Sequence, residues 1–461
     1  MKRWTSFLTL VATIGSLAGV VQAAELTLDD CIEMALQKRA AIISARGAET
    51  QASTAKRAAL GAFLPNISAS YSYSRGRQTD IVPPNVRATR DTIVIDTTIV
   101  GNDTALDAVS IPVAFDTVTA QNSGPSKTWA IGADWAVINF GNWFDYAAAS
   151  AAKAGAQLNV LASEQDMITA VKVAYYAYLA AAQNISVQEE AVKRSEEQLK
   201  LIESRFELGS ASKSDVLRQK VLYGNDQLAM LSATNAVTQS KATLAYTIGL
   251  DPREEHQFAT DFRVHEIAGT LDEAISFSLE HNPRLLSGMK SADQAKHSLR
   301  AAKTGYLPTL SASADYRKFN GTQAYPYTFD YSNKSYGFGF SINYNIFDGF
   351  VREKRVSDAK VYRNNALANL ADTRNSTVAN VKASYLEIEQ LKKQVEVSTE
   401  NVSAAEEDFR ITQEKYNLGA ATILDLLNSQ VTLKQAQVSL ISAQFDLNLA
   451  IARLENAMGK M

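Results

Sequence analysis

Hydrophobic positions recur along this chain at two periods, and each period predicts a different element. In "ISASYSYS", Ile67, Ala69, Tyr71 and Tyr73 alternate with Ser68, Ser70, Ser72 and Ser74. Successive side chains of a strand point to opposite faces, so this segment has one apolar face and one face of hydroxyls. Leu310, Ala312, Ala314 and Tyr316 alternate in the same way with Ser311, Ser313, Asp315 and Arg317. Two further runs follow the rule: Trp129, Ile131, Ala133, Trp135 and Val137, and Tyr336, Phe338, Phe340, Ile342, Tyr344 and Ile346. Strands are therefore predicted over 66–75, 129–140, 309–317 and 336–347. Each is about ten residues, the length a tilted strand needs to cross a bilayer.

The second period is helical. From about Trp143 to Phe206 there is no proline and one glycine, Gly155, so a helix of roughly 95 Å is predicted at about 1.5 Å per residue. A coiled coil is the economical way to house it. Leu426, Leu433, Leu440, Leu447 and Leu454 recur every seven residues, with Ser429, Ala436, Ala443 and Ala450 between them, as knobs-into-holes packing requires. Val216, Tyr223, Met230, Val237 and Leu244 form the same stripe earlier in the chain.

The chain is written twice. "LDDCIEMAL" at Leu28 recurs as "LDEAISFSL" at Leu271, and "FLPNISAS" at Phe63 as "YLPTLSAS" at Tyr306, both at an offset of 243. "VKVAY" at Val171 matches "VKASY" at Val381, and "RFELGSASKSD" at Arg205 matches "KYNLGAATILD" at Lys415, at an offset of 210. Each half reads helix, strand, loop, strand, long helix, turn, helix. The halves are set at 24–250 and 270–461, with a linker at 251–269.

Composition and charge change this picture little. A net charge of -3 gives no reason to expect nucleic acid. His256, His265, His281 and His297 are dispersed, and Cys31 is the one cysteine, so neither a metal cluster nor an intrachain disulfide is expected. A phosphate loop, a nucleophile elbow and zinc-ligand spacing are all missing, so neither an enzyme nor a cofactor is expected. Lys2 and Arg3 before an apolar run to Val21, then "VQAAE", read as a secretory signal peptide over 1–23. Aromatic residues concentrate on the strands, where an outer-membrane barrel carries its headgroup-level belt. The belt candidates are Trp129, Trp135, Trp143, Tyr71, Tyr73, Phe338, Phe340 and Tyr344.

Four strands cannot close a barrel, and an open edge is not tolerated in lipid. Two copies would supply eight strands and three would supply twelve. The inward set of Ser, Gly, Ala and Asn leaves room for water, which favours three. A soluble periplasmic coiled-coil scaffold or adaptor without a pore is the alternative, and it leaves four lipid-length strands unexplained.

The two repeats, "FLP" and "YLP" at the helix-to-strand passage, "INFGN" and "NIFDG" at the return, "HNPRL" at His281 and the "LG…D" turns resemble the TolC family of outer-membrane efflux channels. The resemblance covers nearly all of the chain after the signal peptide. "KRAAI" in the first half departs from it. It implies a mostly α fold with a membrane β-barrel portion: a homotrimer whose twelve-stranded barrel lies in the outer membrane and continues as a periplasmic α-helical tunnel. It also implies a periplasmic adaptor and an inner-membrane pump or ABC transporter as partners, for small-molecule efflux or type I secretion.

By the same resemblance the helix-hairpin tips, at Gly209, Ser210, Gly419 and Ala420, form the adaptor-docking mouth. Asp425 matches a pore carboxylate and Tyr416 a gate tyrosine, with Asp215 as the equivalent of Asp425 in the first half. Asn428 stands where a second acidic ring would fall, and Ala421 where a basic link would fall. Asp215 and Asp425 also sit where a carboxylate caps a helix start, and that capping role is an equal alternative.

Overall fold

The computed structural model describes residues 25–82, 99–100, 103–104, 118–260, 269–323 and 329–460, and side chains outside 77–124 and 323–329. The expected signal peptide lies outside the described residues. The chain forms two units: one of strands with adjoining helix ends (Arg57–Tyr146 and Arg300–Ser357), and one helical (Met1–Lys56, Ala147–Leu299 and Asp358–Met461).

The strand unit holds a four-stranded antiparallel sheet in the order β1 (Asn66–Val82), β4 (Val118–Ile138), β5 (Thr309–Gln323), β6 (Phe329–Asn343). Two short strands, β2 (Ile99–Val100) and β3 (Asp103–Thr104), pair with each other. The strands of each half form a hairpin, and the two hairpins join through β4 and β5. Among the described residues β1 and β6 are open edges. Pairing runs further towards the hairpin ends than alternation predicts, to Val82 opposite Val118 and Gln323 opposite Phe329. A backbone ladder needs no apolar side chain, so pairing continues where the alternation is lost.

Two predicted bounds are corrected. β6 ends at Asn343, not at 347, because its partner β5 starts at Thr309 directly after Pro308, which has no N–H to donate. Tyr344 and Ile346 therefore lie beyond the strand. β4 ends at Ile138, and a bulge between Ala136 and Ile138 shifts the register. Ile138, not Val137, stands opposite Leu310 on the apolar face, because a bulge places one extra residue against the partner strand.

Each half of the helical unit repeats one set of elements. α1 (Leu28–Lys38) and α2 (Ala40–Gly61) answer to α5 (Leu271–His281) and α6 (Pro283–Lys303). The long α3 (Phe140–Glu207) and α4 (Lys213–Ile248) answer to α7 (Val351–Asn417) and α8 (Ile423–Met458). Four N-termini carry the same reciprocal cap, from Thr27 with Asp30, Ser212 with Asp215, Thr270 with Glu273 and Thr422 with Asp425. Pro283 opens α6, where its missing N–H costs nothing, and Asn282 Oδ1 accepts from the Arg284 and Leu285 amides.

Repeat-equivalent residues fill equivalent cores. Val171 with Leu244 in the first half, and Val381 with Leu454 in the second, are all fully buried. Cys31 is buried and free beside Val171 and Leu179, and burial first, then Asp30, pushes its thiol up to about 11. Phe258 of the expected linker enters this core, and Leu26 pairs with it in an isolated bridge. Among the described residues no helix is long and apolar enough to cross a membrane.

Candidate functional site

The tips of the two long hairpins are built alike. Gly209 (φ +76°) and Gly419 (φ +78°) end α3 and α7 in the left-handed conformation, which a side chain would disfavour. The Ser210 amide donates to Arg205 O at 2.8 Å and the Ala420 amide to Lys415 O at 2.8 Å, satisfying carbonyls at the helix ends. The leucine before each glycine has no cover: Leu208 is 84% exposed and Leu418 83%. Gly209, Ser210, Gly419 and Ala420 thus occupy the turns where the sequence puts them.

Both tip aspartates cap the returning helix. The Thr422 amide and hydroxyl donate to Asp425 Oδ2 at 2.9 and 2.6 Å, and the Asp425 amide donates to Thr422 Oγ1 at 3.2 Å. Ser212 and Asp215 repeat this at 3.1, 2.7 and 3.2 Å. The Thr422 side chain, and then its backbone, hold the Asp425 carboxyl below the usual carboxylate range. Asp425 and Asn428 are both exposed and lie three residues apart on one side of α8. Tyr416 faces inward, packed with Ile202, Ile423 and Leu426, and the Arg205 guanidinium sits 4.9 Å from its ring centre. Arg205 also donates to Asn417 Oδ1 at 3.2 Å, joining α3 to α7 beside the tips.

A second tie between the halves is absent from the sequence reading. Lys434 Nζ of α8 donates to Asp226 Oδ1 of α4 at 2.6 Å, with side chains 23% and 5% exposed. A signal for it exists. In the seam that holds Ser429, Ala436 and Ala443 in α8, α4 places Gln219, Asp226 and Ala233, so an acid stands where the repeat has alanine. A buried carboxylate at such a position requires a partner. Lys172 of α3 likewise meets Glu455 of α8 at 2.6 Å.

The sheet has two chemically distinct faces. Registers put Ile67, Ala69, Tyr71 and Tyr73 on the same side as Trp129, Ile131, Trp135, Tyr316, Tyr336, Phe338 and Phe340, and most of these are exposed. The other face carries Ser68, Ser70, Ser72, Gly132, Ser311, Ser313, Gly339 and Ser341, with Asp134, Asp315 and Arg317. Gly337 lies opposite Asp315, where a Cβ would come within 2.7 Å of Oδ1, so the carboxylate uses the room that glycine leaves. The aromatic candidates divide. Tyr71 and Trp129 are paired (ring centres 4.6 Å apart) part-way along β1 and β4, and Trp135 and Phe340 lie in one row near the helix passages. Trp143 belongs to the first turn of α3, edge-on to Phe63 at 5.6 Å. Tyr344 lies past β6.

The family model described as outer membrane efflux protein matches residues 31–250 and 274–460. The chain is 26% identical over 314 residues to the outer membrane protein TolC of Escherichia coli strain K12, covering 65% of this chain and 62% of that one. It is 21% identical over 303 residues to the outer membrane efflux protein BepC of Brucella suis biovar 1, covering 66% and 65%. These alignments span slightly less than two thirds of the relatives' lengths. Among solved structures, the Campylobacter jejuni CmeC outer membrane channel superposes with TM-score 0.74 at 16% identity, covering 94% of this chain and 85% of that one. Vibrio cholerae VceC superposes with TM-score 0.73 at 18% identity, covering 94% and 96%. The fold of the single chain is therefore shared with these proteins.

Proposed function

This chain belongs to the outer membrane efflux protein family, and we propose that three copies of it form a passive channel-tunnel of the outer membrane. The observation that carries the proposal is the sheet: four strands, two open edges, one exposed apolar face and one hydroxyl and glycine face. An open edge leaves unpaired N–H and C=O groups, which lipid cannot satisfy, so β1 of one copy pairs with β6 of the next until the ring closes. Twelve strands leave a wet bore lined by serine, glycine and the Asp134 and Asp315 carboxylates. A soluble scaffold accounts for the helices and leaves the apolar face without a role.

The helical unit is the periplasmic tunnel, and its tips are the mouth. Leu208 and Leu418, with Gly209, Ser210, Gly419 and Ala420, meet the periplasmic adaptor. An inner-membrane pump or ABC transporter supplies the energy, since the chain has no nucleotide-binding motif. Asp425, repeated by the trimer, sets a ring of three carboxylates with Asn428 one helical turn further on, and converging charges in a narrow throat focus the field on cations. Its cap keeps the carboxylate ionised below the usual range, so capping and pore charge are compatible roles for one side chain.

Single-channel recording in planar bilayers tests this. The protein should give stepwise conductance, and Asp425→Ala should lower cation preference and weaken block by multivalent cations. Recovery in the soluble periplasmic fraction without detergent, and no conductance, would refute the channel. Conductance with unchanged selectivity in Asp425→Ala would refute the assignment of Asp425 alone.

A further inference from the structure

On the apolar face of the sheet the side chains change character towards the hairpin ends. The row Ala69, Ile131, Tyr316 and Tyr336 is followed by Tyr71, Trp129, Lys318 and Lys334. Tyr73 and Lys127 come next, and Arg75 stands two residues further along β1 on the same side, opposite Pro125. Among residues whose side chains are described, each of the four strands therefore places one cation on this face, at or just beyond its last aromatic rows. Lys318 and Lys334 are direct cross-strand partners, and like charges so placed are destabilising unless something negative lies against them. Among the described residues none of the four cations has an ion-pair partner. Asp330 is the carboxylate on this side of the described strands, four residues from Lys334, and it accepts a hydrogen bond from Thr322 Oγ1 at 2.6 Å. Among the described residues, then, no carboxylate forms an ion pair with this cluster.

Resting on the membrane reading above, we propose that Arg75, Lys127, Lys318 and Lys334 form a binding site for the phosphate groups of anionic lipid headgroups on the outer wall of the barrel. Aromatic rings sit at the boundary between hydrocarbon and headgroups. Cations at and just past that boundary stand at phosphate depth, and lysine stems extend their charge further into the headgroup layer. The planar Arg75 guanidinium can grip two phosphate oxygens at once, while the lysines act as point charges around it. A phosphate seated between Lys318 and Lys334 turns their repulsion into a shared attraction. The opposite side of the same strands carries Arg317 together with the Asp134 and Asp315 carboxylates, so the cations without carboxylates beside them in the ladder are those of the lipid-facing side.

The full chain is reconstituted in vesicles of phosphatidylcholine alone, and in vesicles that also contain a bisphosphorylated glucosamine glycolipid (lipid A). Fluorescently labelled lipid A reports binding in detergent. Each lysine removed, in Lys318→Ala and in Lys318→Ala/Lys334→Ala, should weaken lipid A binding by about fivefold. Lys334→Glu supplies a readout that a purely structural role would not give. It should raise the thermal midpoint of the protein in phosphatidylcholine, where the like-charge pair is relieved, and lower it with lipid A, where a binding charge is reversed. Equal midpoints in both vesicles for wild type and Lys334→Glu would overturn the assignment. So would full displacement of lipid A by millimolar inorganic phosphate, which would mark a free-anion site. If neither protein enters either vesicle, the membrane reading falls and this assignment with it. Insertion without phosphate dependence overturns this assignment alone.

Discussion

α4 and α8 are repeats of one another and differ in what covers them. Each has 36 residues, starts on a hydroxyl-and-aspartate cap and ends on a glycine in the left-handed conformation. The leucine stripe of α8 is packed inside the chain, with Leu426, Leu433, Leu447 and Leu454 all buried. α4 buries Gln219, Asp226, Ala233 and Leu244, yet it also leaves a second stripe bare: Leu217, Val221, Leu228 and Leu231, with Val221 63% and Leu228 67% exposed. Their spacing of four, seven and three residues is that of a coiled-coil seam. α8 leaves only Leu424 and Val431 of its large apolar side chains exposed among the described residues, both in its first third. Its repeat has one covered face and a longer bare one, and in the proposed ring of copies that bare face is the expected seat of the next subunit.

Truncating the buried stripe of α8 should have the largest effect on folding. Leu454→Ala should cost about 2–5 kcal/mol in urea unfolding followed by helical circular dichroism. Leu228→Ala should stay within about 0.5 kcal/mol in the dissociated chain, while Leu228→Glu should abolish the assembled species in native electrophoresis. Equal costs for Leu454→Ala and Leu228→Ala in the dissociated chain would erase the distinction between the two helices.

The tie between them sharpens the comparison at a smaller scale. Lys434→Ala leaves Asp226 buried without its cation and should cost roughly 3 kcal/mol, at the low end for a buried pair because Lys434 keeps partial exposure. Asp226→Ala copies the alanine of the repeat and frees a lysine that can reach water, so it should cost clearly less. If Asp226→Ala proves the more damaging, the pair is not held by the buried carboxylate.

The smallest effect is a pH dependence at the α7–α8 tip. The Asp425 carboxyl is held below its ordinary value in the folded chain. Its contribution is therefore present above the unfolded carboxylate range and is lost as pH falls through the folded value. Protection factors of the tip amides in hydrogen exchange, taken against the intrinsic rate at each pH, should fall on acidification below about pH 4, and Asp425→Asn should flatten that response.

Much of this was legible in the sequence, because the informative signals are local. Alternation marked the two faces of all four strands as far as the bulge of β4, since parity needs only neighbouring residues. The glycine and aspartate of each tip announced the turn and its cap for the same reason. Legibility failed where a second segment decides the outcome. Nothing near Val137 signals the bulge that hands its place to Ile138, and the end of β6 is set by Pro308 on another strand. Lys434 and Asp226 belong to different halves, and only packing makes them partners. The cation cluster was hidden similarly, because Arg75, Lys127, Lys318 and Lys334 become neighbours only once the register is known.

The central claim is that three sheets join edge to edge, β1 of one copy against β6 of the next. Cysteine pairs, one on β1 at Ser68, Ser70 or Ser72 and one on β6 at Ser335, Gly339 or Ser341, test it in the membrane-inserted protein under oxidation. Cys31 is buried, and its raised thiol keeps it out of the reaction. Each chain is 50.2 kDa, so the crosslinked ladder on a denaturing gel counts copies directly. A ladder that stops at three chains in at least one register is the expected result. A ladder that stops at two, or climbs without limit, would contradict the closed trimer.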